Sequence, residues 1–207
     1  SSPTSPAHAG SLDLSFLRAV PNLRVGAPRD AADLRAMLRW ALQQPGPVAL
    51  RYPKALAPAI GPVEQRDVRR GELLKEGADA MLLAVGPCSG TCLEASHLLE
   101  QEGLSVGVAD ARWVTPLDES LLERLSHLPL VTVEENACAG GFGSAVLEHL
   151  EQRGRLHEVL VRRVGLPDRF IEHARRTEQL VECGLDAAGI AAAVRALVGR
   201  HAHQPFR

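Results

Sequence analysis

A glycine-rich loop between an apolar run and a helical pattern is the stretch of this chain best suited to chemistry. Residues 140–143 read Gly-Gly-Phe-Gly and come soon after the apolar run 130–133, which predicts a buried strand. From Ser144 onward, apolar residues recur at helical spacing. The free N–H groups at the start of a helix can bind an anion, but this loop lacks the Lys-Ser/Thr pair of a P-loop. We therefore expect the glycines to serve close packing of helix on strand, with an anion site as the alternative.

Two adjacent carboxylates, Glu134 and Glu135, follow the apolar run. Neighbouring side chains at a strand end point to opposite sides, which is poor geometry for a paired acid and base. We expect the charged residues 134–136 to end the strand. The glutamates are then expected to cap a helix or to contact a partner.

Cysteines and histidines give no metal-binding pattern. Cys88 and Cys92 are four residues apart on a predicted helix, but no nearby Cys or His pair supplies the two further ligands of a metal site. All four cysteines are expected to be packing residues. The scattered histidines and the arginine pairs 162–163 and 175–176 are expected on solvated faces or in partner contacts.

The composition is that of an ordinary globular protein. The 207 residues are 45% hydrophobic and 23% charged, and the net charge of -2 argues against a nucleic-acid-binding face. No apolar run approaches the ~20 residues of a membrane-spanning helix, and the start lacks a signal-peptide pattern. We therefore expect a cytoplasmic protein with reduced thiols and with neither nucleic acid nor membrane as a partner.

The first quarter of the chain predicts a strand, a helix and a strand over residues 23–53. Asp30 is placed to cap the helix 30–42. The apolar stripe of this helix consists of Leu34, Met37, Leu38 and Ala41. Residues 48–52 predict a buried strand, and the proline-containing residues 55–69 predict an interdomain linker.

From residue 80 onward, strands and helices alternate. Strands are expected at 80–85, 106–108, 130–133 and 159–164, with an edge strand at 70–75. Helices are expected at 88–101, at 118–125, from 144, from a cap at Thr177 and at 187–198. This order predicts an α/β fold with a mainly parallel sheet flanked by helices.

Several long motifs resemble one enzyme family. SLDLSFLRAVPNLRVGAPRD and GPVALRYPK are similar to the end of the pyrimidine-binding domain of 1-deoxy-D-xylulose-5-phosphate synthases. ADARWVTPLDESLL, VTVEENACAGGFGSAVLE and VGLPDRFIEHA resemble the transketolase-like C-terminal domain of the same family. The motifs keep the family's order and spacing from about residue 8 to residue 198.

The resemblance implies a domain division. Residues 1–54 would be the C-terminal part of a pyrimidine-binding domain and residues 55–69 a linker. Residues 70–200 would be the transketolase-like C-terminal domain, followed by a tail at 201–207.

The resemblance also implies an activity. The family condenses pyruvate with glyceraldehyde 3-phosphate to 1-deoxy-D-xylulose 5-phosphate, which feeds isoprenoid and thiamine biosynthesis. It depends on thiamine diphosphate and Mg²⁺, and the cofactor carries the carbanion chemistry. The implied partners are the missing N-terminal domains and a second subunit.

Two residues match positions that the family uses at its active site. His8, in Ala7-His8-Ala9-Gly10, matches a histidine beside the cofactor, where an imidazole can shuttle protons near neutral pH. Arg51, in Arg-Tyr-Pro, matches the arginine that binds the aldehyde's phosphate, which a guanidinium suits by its two-pronged donor geometry. Without the resemblance, His8 would be read as a solvent residue and Arg51 as the partner of a carboxylate near the strand end.

The family's determinants for thiamine diphosphate and Mg²⁺ have no counterpart here. They include a Gly-Asp-Gly run and an activating glutamate upstream of residue 1, and no Gly-Asp-Gly occurs in this chain. We therefore assign no cofactor-binding or metal residues and expect the chain alone to be inactive.

Some positions near the expected substrate site depart from the family pattern. Thr4, Ser5 and Ala7 replace the family's Asp, Gly and Thr, and residues 54–56 replace an Arg-Gly-Asn. These departures favour an alternative, a truncated paralogue without activity that serves as an interaction or dimerisation module. A split two-subunit enzyme of the transketolase type is a third possibility.

Overall fold

A computed structural model describes residues 10–53, 59–60, 66–169 and 175–203. The fold has fifteen elements along these residues. They are α1 (Asp13–Leu17), β1 (Arg24–Gly26), α2 (Ala31–Ala41), β2 (Val48–Leu50), β3 (Glu72–Lys75), β4 (Ala80–Ala84), α3 (Cys88–Gln101), β5 (Val106–Asp110), β6 (Trp113–Thr115), α4 (Glu119–Leu125), β7 (Leu130–Ala137), α5 (Phe142–Gln152), β8 (Val161–Leu166), α6 (Arg176–Glu182) and α7 (Ala187–His203).

The larger sheet has five strands in the order β3-β5-β4-β7-β8. The pairs β4–β5, β4–β7 and β7–β8 are parallel, and only β3 at the edge runs antiparallel to its neighbour. The expectation of a mainly parallel sheet with an edge strand near 70–75 is confirmed. β4 and β5 are buried along their whole length, which is why they read as continuous apolar runs.

Successive residues of the central strand face two separate hydrophobic cores. Met81 and Leu83 pack in one core with Phe142 of α5 and with residues of α4, whereas Leu82 and Ala84 pack in the other with α3 and α7. Side chains alternate across a strand, so helices are needed on both faces of a fully buried sheet. Helices α4 and α5 therefore form a layer on one side of the sheet, and α3 and α7 form a layer on the other.

The smaller sheet has three strands in the order β2-β1-β6 and joins the two parts of the chain. β1 and β2 are parallel, and β6 pairs with β1 in the antiparallel direction. No strand was expected at β6, because its residues Trp-Val-Thr form neither a longer apolar run nor an alternating pattern. Trp113 of β6 packs against Met37 and Val68, and its indole N–H donates to the Val68 carbonyl oxygen at 2.8 Å.

A buried ionic network reinforces this junction. Arg112 donates from Nε to Asp33 Oδ2 at 3.0 Å and from Nη2 to Glu72 Oε2 at 3.1 Å, and its side chain and that of Asp33 are fully buried. Arg29, also fully buried, pairs with Glu72 at 2.9 Å and with Asp110 at 3.4 Å. Burial raises the pKa of Asp110 to about 7, against the opposing effect of Arg112. The network joins residues before and after the predicted linker.

Several boundaries differ from the sequence expectations. The strand expected at 130–133 continues to Ala137, so the charged residues do not end it, because Glu134 and Asn136 find buried polar partners. α5 begins at Phe142 rather than at Ser144, and α6 is capped at Arg175 rather than at Thr177.

The expectations for helix caps, buried helix faces and helix ends are only partly right. Asp30 caps α2 as expected, with its side chain accepting from the Asp33 N–H at 2.9 Å. In contrast, Leu38 was expected to face inward and is 50% exposed. The last helix extends beyond residue 198 to His203. Among the described residues, no helix combines the length and apolar character needed to cross a membrane.

Candidate functional site

The carboxyl ends of β2 and β7 bring together charged residues from distant parts of the chain. Arg51 directly follows β2, and its backbone N–H donates to the Gly26 carbonyl oxygen at 2.9 Å. This bond continues the β1–β2 pairing and fixes the backbone from which the Arg51 side chain leaves. Ligands of open α/β sheets bind at the carboxyl ends of strands, so the position suits a substrate-binding group.

The guanidinium of Arg51 is largely buried and only loosely paired. Its Nη1 lies 3.8 Å from Glu135 Oε2, and the side chain is 10% exposed. That separation is an ion pair but too long for a hydrogen bond. Within the described ranges, no hydrogen-bond acceptor engages this guanidinium. The carboxylate partner considered in the sequence analysis is therefore present, but it leaves the donors of Arg51 available.

Arg176, at the start of α6, binds the same carboxylate much more closely. Its Nε donates to Glu135 Oε1 at 2.7 Å, and its Nη2 donates to Oε2. Arg176 was expected on a solvated face or in a partner contact; its side chain is 37% exposed, and its guanidinium pairs with a carboxylate of the same chain. The pairing was missed because 41 residues separate Arg176 from Glu135 and no sequence period relates them.

His8 lies outside the described residues, but the segment that follows it reaches this site. A Cβ placed on Gly10 would lie 3.9 Å from Arg51 Nη2. The Ser11 carbonyl oxygen accepts from the Ala137 N–H at 2.7 Å, and the Leu14 N–H donates to Asn136 Oδ1 at 3.0 Å. The chain two residues after His8 is thus held beside the end of β7 and Arg51.

Glu134 occupies the helix N-terminus that the glycine loop precedes. Its two carboxylate oxygens accept from the backbone N–H groups of Phe142 at 2.7 Å and Gly143 at 2.8 Å. Burial raises the pKa of Glu134 to about 7, although these hydrogen bonds favour its ionised form. The alternative of an external anion at this loop is excluded, because the protein's own carboxylate fills the position. The expected capping role is confirmed for Glu134.

The glycines permit this close approach. A Cβ on Gly141 would lie 2.1 Å from Glu134 Oε2, and a Cβ on Gly143 would lie 2.5 Å from Thr132 Oγ1. Both separations are shorter than any real contact, so neither position can hold a side chain without movement. The expected packing role of the loop is confirmed.

The thiols near the site are suited to packing rather than to nucleophilic attack. Cys88 is buried at the start of α3, where burial, followed by the charge of Glu135, raises the pKa of its thiol to about 12. Cys92 is buried one turn later, and burial raises the pKa of its thiol well above the ordinary value. Throughout the part of the chain that the structure describes, no group of three or more His, Cys, Asp or Glu side chains is placed to hold a metal ion.

Comparison with known families gives two matches along the chain. Residues 69–190 match the transketolase C-terminal domain, and residues 3–59 match the transketolase pyrimidine-binding domain. The first match alone covers more than half of the 207 residues.

Curated relatives are named 1-deoxy-D-xylulose-5-phosphate synthase. The chain is 47% identical to the protein of Magnetococcus marinus over 196 residues, covering 93% of this chain and 32% of that protein. It is 44% identical to the protein of Chlorobium phaeovibrioides over 199 residues, covering 92% of this chain and 31% of that protein. The chain therefore spans about a third of the length of these relatives.

Solved structures share the fold. A split-gene transketolase described as an inactive β4 tetramer has a TM-score of 0.85 and 34% identity, covering 91% of this chain and 62% of that one. A transketolase of Pichia stipitis has a TM-score of 0.78 at 19% identity, covering 96% of this chain and 28% of that one. The chain thus belongs to the transketolase family, and it is similar to the C-terminal portion of 1-deoxy-D-xylulose-5-phosphate synthases.

Proposed function

We propose that this chain is the C-terminal portion of a synthase that condenses pyruvate with glyceraldehyde 3-phosphate to 1-deoxy-D-xylulose 5-phosphate. In this proposal Arg51 binds the phosphate of the aldehyde. The observation that carries it is a guanidinium at the carboxyl edge of the sheet, 10% exposed, with a carboxylate no nearer than 3.8 Å. A phosphate can accept two parallel hydrogen bonds from such a group.

The histidine of the proposed site is His8. Its role beside the reacting carbon, as a donor or carrier of protons, stays a prediction from the family motif. The support is indirect, because Gly10 follows His8 by two residues and lies next to Arg51. The domain boundaries at 54, 69 and 200 and the cytoplasmic location also stay predictions.

Thiamine diphosphate and Mg²⁺ belong to the proposal through the family. Thiamine diphosphate supplies the carbanion chemistry when it is bound. The described residues of this chain do not fit the metal, since they contain no group of three or more His, Cys, Asp or Glu side chains placed for it. We therefore propose that protein upstream of these residues holds the cofactor, and we derive no step through it.

The proposal includes partners. They are the N-terminal domains of such a synthase and a second subunit, without which we expect the chain to be inactive. The split-gene transketolase that is 34% identical over most of this chain is itself described as inactive when it forms a β4 tetramer. That description favours a protein whose activity needs another polypeptide.

Mixing tests the proposal. The chain is combined with a protein that supplies the upstream cofactor domains, and formation of 1-deoxy-D-xylulose 5-phosphate is measured. We expect activity in the mixture, and we expect Arg51→Ala to remove most of it. The matched control is Arg195→Ala, which removes an exposed arginine of α7 that pairs with Glu102 at the end of α3.

A truncated, non-catalytic paralogue is the second candidate. The departures at Thr4, Ser5, Ala7 and residues 54–56 favour it, because they cluster where the substrate would lie. A stable complex with the cofactor domains that forms no product would support this candidate. Absence of any complex would also count against the synthase reading.

A further inference from the structure

One carboxylate lies between two guanidinium groups at the proposed phosphate site, and it is shared unequally. Glu135 accepts from Arg176 Nε at 2.7 Å and also from Arg176 Nη2, which makes a bidentate pair. Arg51 Nη1 lies 3.8 Å from the same carboxylate, outside hydrogen-bond distance. Glu135 and Arg51 are both largely buried, with side chains 12% and 10% exposed. The two guanidinium groups compete for Glu135, and water weakens their attraction to its carboxylate less than it would at the surface.

The balance of charge leaves one cation without a close partner. The trio contains two guanidinium groups and one carboxylate. The neighbouring Glu134 binds the N-terminus of α5. Cys88 has a thiol pKa of about 12, raised by burial, so it stays neutral near pH 7. The three side chains of the trio together therefore carry one net positive charge, and Arg51 is the cation without a hydrogen-bonded carboxylate among the described residues. Asp13, whose Oδ2 lies 2.7 Å from a Cβ placed on Gly10, is a further acidic group near Arg51.

We infer that Arg176 is a positioning residue that holds Glu135 away from Arg51 and so keeps the Arg51 guanidinium open to a phosphate monoester. A carboxylate and a phosphate compete for the same two-pronged donors. Arg176 satisfies both oxygens of Glu135, so the carboxylate gains little by moving to Arg51. Without Arg176, Glu135 would pair with Arg51 and exclude the ligand. This inference rests on the phosphate-binding role proposed for Arg51.

The inference predicts effects of opposite sign at two residues that contact each other. Arg176→Gln removes the competing cation, so phosphate binding weakens. Glu135→Gln removes the competing anion, so phosphate binding is kept or becomes tighter. The double variant lacks both the competing anion and the residue that restrains it, so its affinity returns to that of the parent. If the pair had a purely structural role, the double variant would bind phosphate at least as weakly as Arg176→Gln.

Titration of the full 207-residue chain with sn-glycerol 3-phosphate, followed by NMR, tests this. We expect Arg176→Gln to raise Kd about tenfold, the equivalent of roughly one charge-assisted hydrogen bond. We expect the double variant Arg176→Gln/Glu135→Gln to lie within about threefold of the parent. Arg195→Gln is the matched control, because Arg195 forms the same bidentate pair with Glu102 at 2.8 and 2.9 Å, away from the site. Near-UV circular dichroism of each variant verifies the fold.

The outcomes separate this inference from the proposed function. Binding that is lost in Arg51→Ala but unchanged in Arg176→Gln overturns the role of Arg176 alone. A double variant that stays as weak as Arg176→Gln also overturns it. A parent that does not bind the probe, or binding that survives Arg51→Ala, overturns the phosphate role of Arg51 and this inference with it.

Discussion

Glu134 accepts a hydrogen bond from the backbone N–H of Phe142 at 2.7 Å, so helix α5 begins against a carboxylate eight residues earlier in the chain. The neighbouring N–H of Gly143 donates to the other oxygen at 2.8 Å. The loop between them turns tightly enough for one strand residue to cap the helix that follows. The glycine loop therefore has no vacant anion site, because the Glu134 carboxylate occupies the N-terminus of α5.

The first prediction concerns pH. Burial raises the pKa of Glu134 from 4.5 to about 7, so between these values the folded chain binds more protons than the unfolded chain. The free energy of unfolding therefore falls as the pH rises through this window, and part of that fall comes from Glu134. We expect Glu134→Gln to show a smaller fall between pH 5 and pH 8 than the parent in urea denaturation.

The control for this prediction is Glu94→Gln, which removes an exposed carboxylate from α3. It should keep the slope of the parent. Asp110, whose pKa burial also raises to about 7, is present in all three proteins and cancels in the comparison. If the free energy of unfolding changed equally with pH in the parent and in Glu134→Gln, the raised pKa of Glu134 would be contradicted.

The second prediction concerns the glycine loop. Gly141→Ala places a Cβ 2.1 Å from Glu134 Oε2 and 2.5 Å from the Ala137 carbonyl oxygen. We expect a loss of about 1–3 kcal/mol in the free energy of unfolding, the usual cost of overpacking. Gly199→Ala is the matched control, because among the described residues no atom outside its chain neighbours and its own helix backbone lies within 4 Å of a Cβ there. This exposed position within α7 should gain up to about 1 kcal/mol. A neutral Gly141→Ala would show that the loop is not tightly packed.

The regular alternation of strands and helices along the sequence predicted the five-stranded sheet well. Alternation of apolar strands and helices from residue 80 indicated the parallel sheet, because each element there is long enough to show its period. β6 was missed because its residues Trp-Val-Thr form neither a longer apolar run nor an alternating pattern. The end of β7 was misplaced because its charged residues are satisfied by distant groups. Asn136, for example, binds the Leu14 N–H, which is 122 residues away.

The candidate site, unlike the larger sheet, could not be predicted from local sequence patterns. Arg51 came from the resemblance to a family, whereas the pairing of Glu135 with Arg176 came only from the structure. Each of the three lies in a different segment, and no local rule states which carboxylate meets which arginine. Propensity and periodicity describe neighbours in sequence, so a site assembled by sheet topology falls outside them.

The third prediction concerns the buried ionic network. Arg112→Met leaves the fully buried carboxylates of Asp33 and Asp110, and the partly exposed carboxylate of Glu72, with fewer partners. We expect a loss on the order of 3 kcal/mol in the free energy of unfolding. Arg124→Met serves as the control, because Arg124 and its partner Glu76 have side chains 59% and 78% exposed. That variant should change stability by less than about 0.5 kcal/mol in the same urea titration. Similar losses in both variants would contradict a special role for the network.

The fourth prediction concerns the thiols. Burial raises the pKa values of Cys88, to about 12, and of Cys92. We expect iodoacetamide at pH 8 to label the half-buried Cys138 and Cys183 well before these two, as followed by mass spectrometry. In urea all four should react at similar rates. Early labelling of Cys88 in the folded chain would argue for a reactive thiol beside Glu135.

The central claim is that Arg51 recognises a phosphate, and the most direct measurement compares two aldehydes. In the mixture with the cofactor domains, kcat/KM is measured for glyceraldehyde 3-phosphate and for unphosphorylated glyceraldehyde. We expect Arg51→Ala to lower kcat/KM about a hundredfold for the phosphorylated aldehyde, the value of strong charge-assisted hydrogen bonds. The value for glyceraldehyde should change less than about threefold, because it has no phosphate to lose. Equal losses for both aldehydes would contradict the claim.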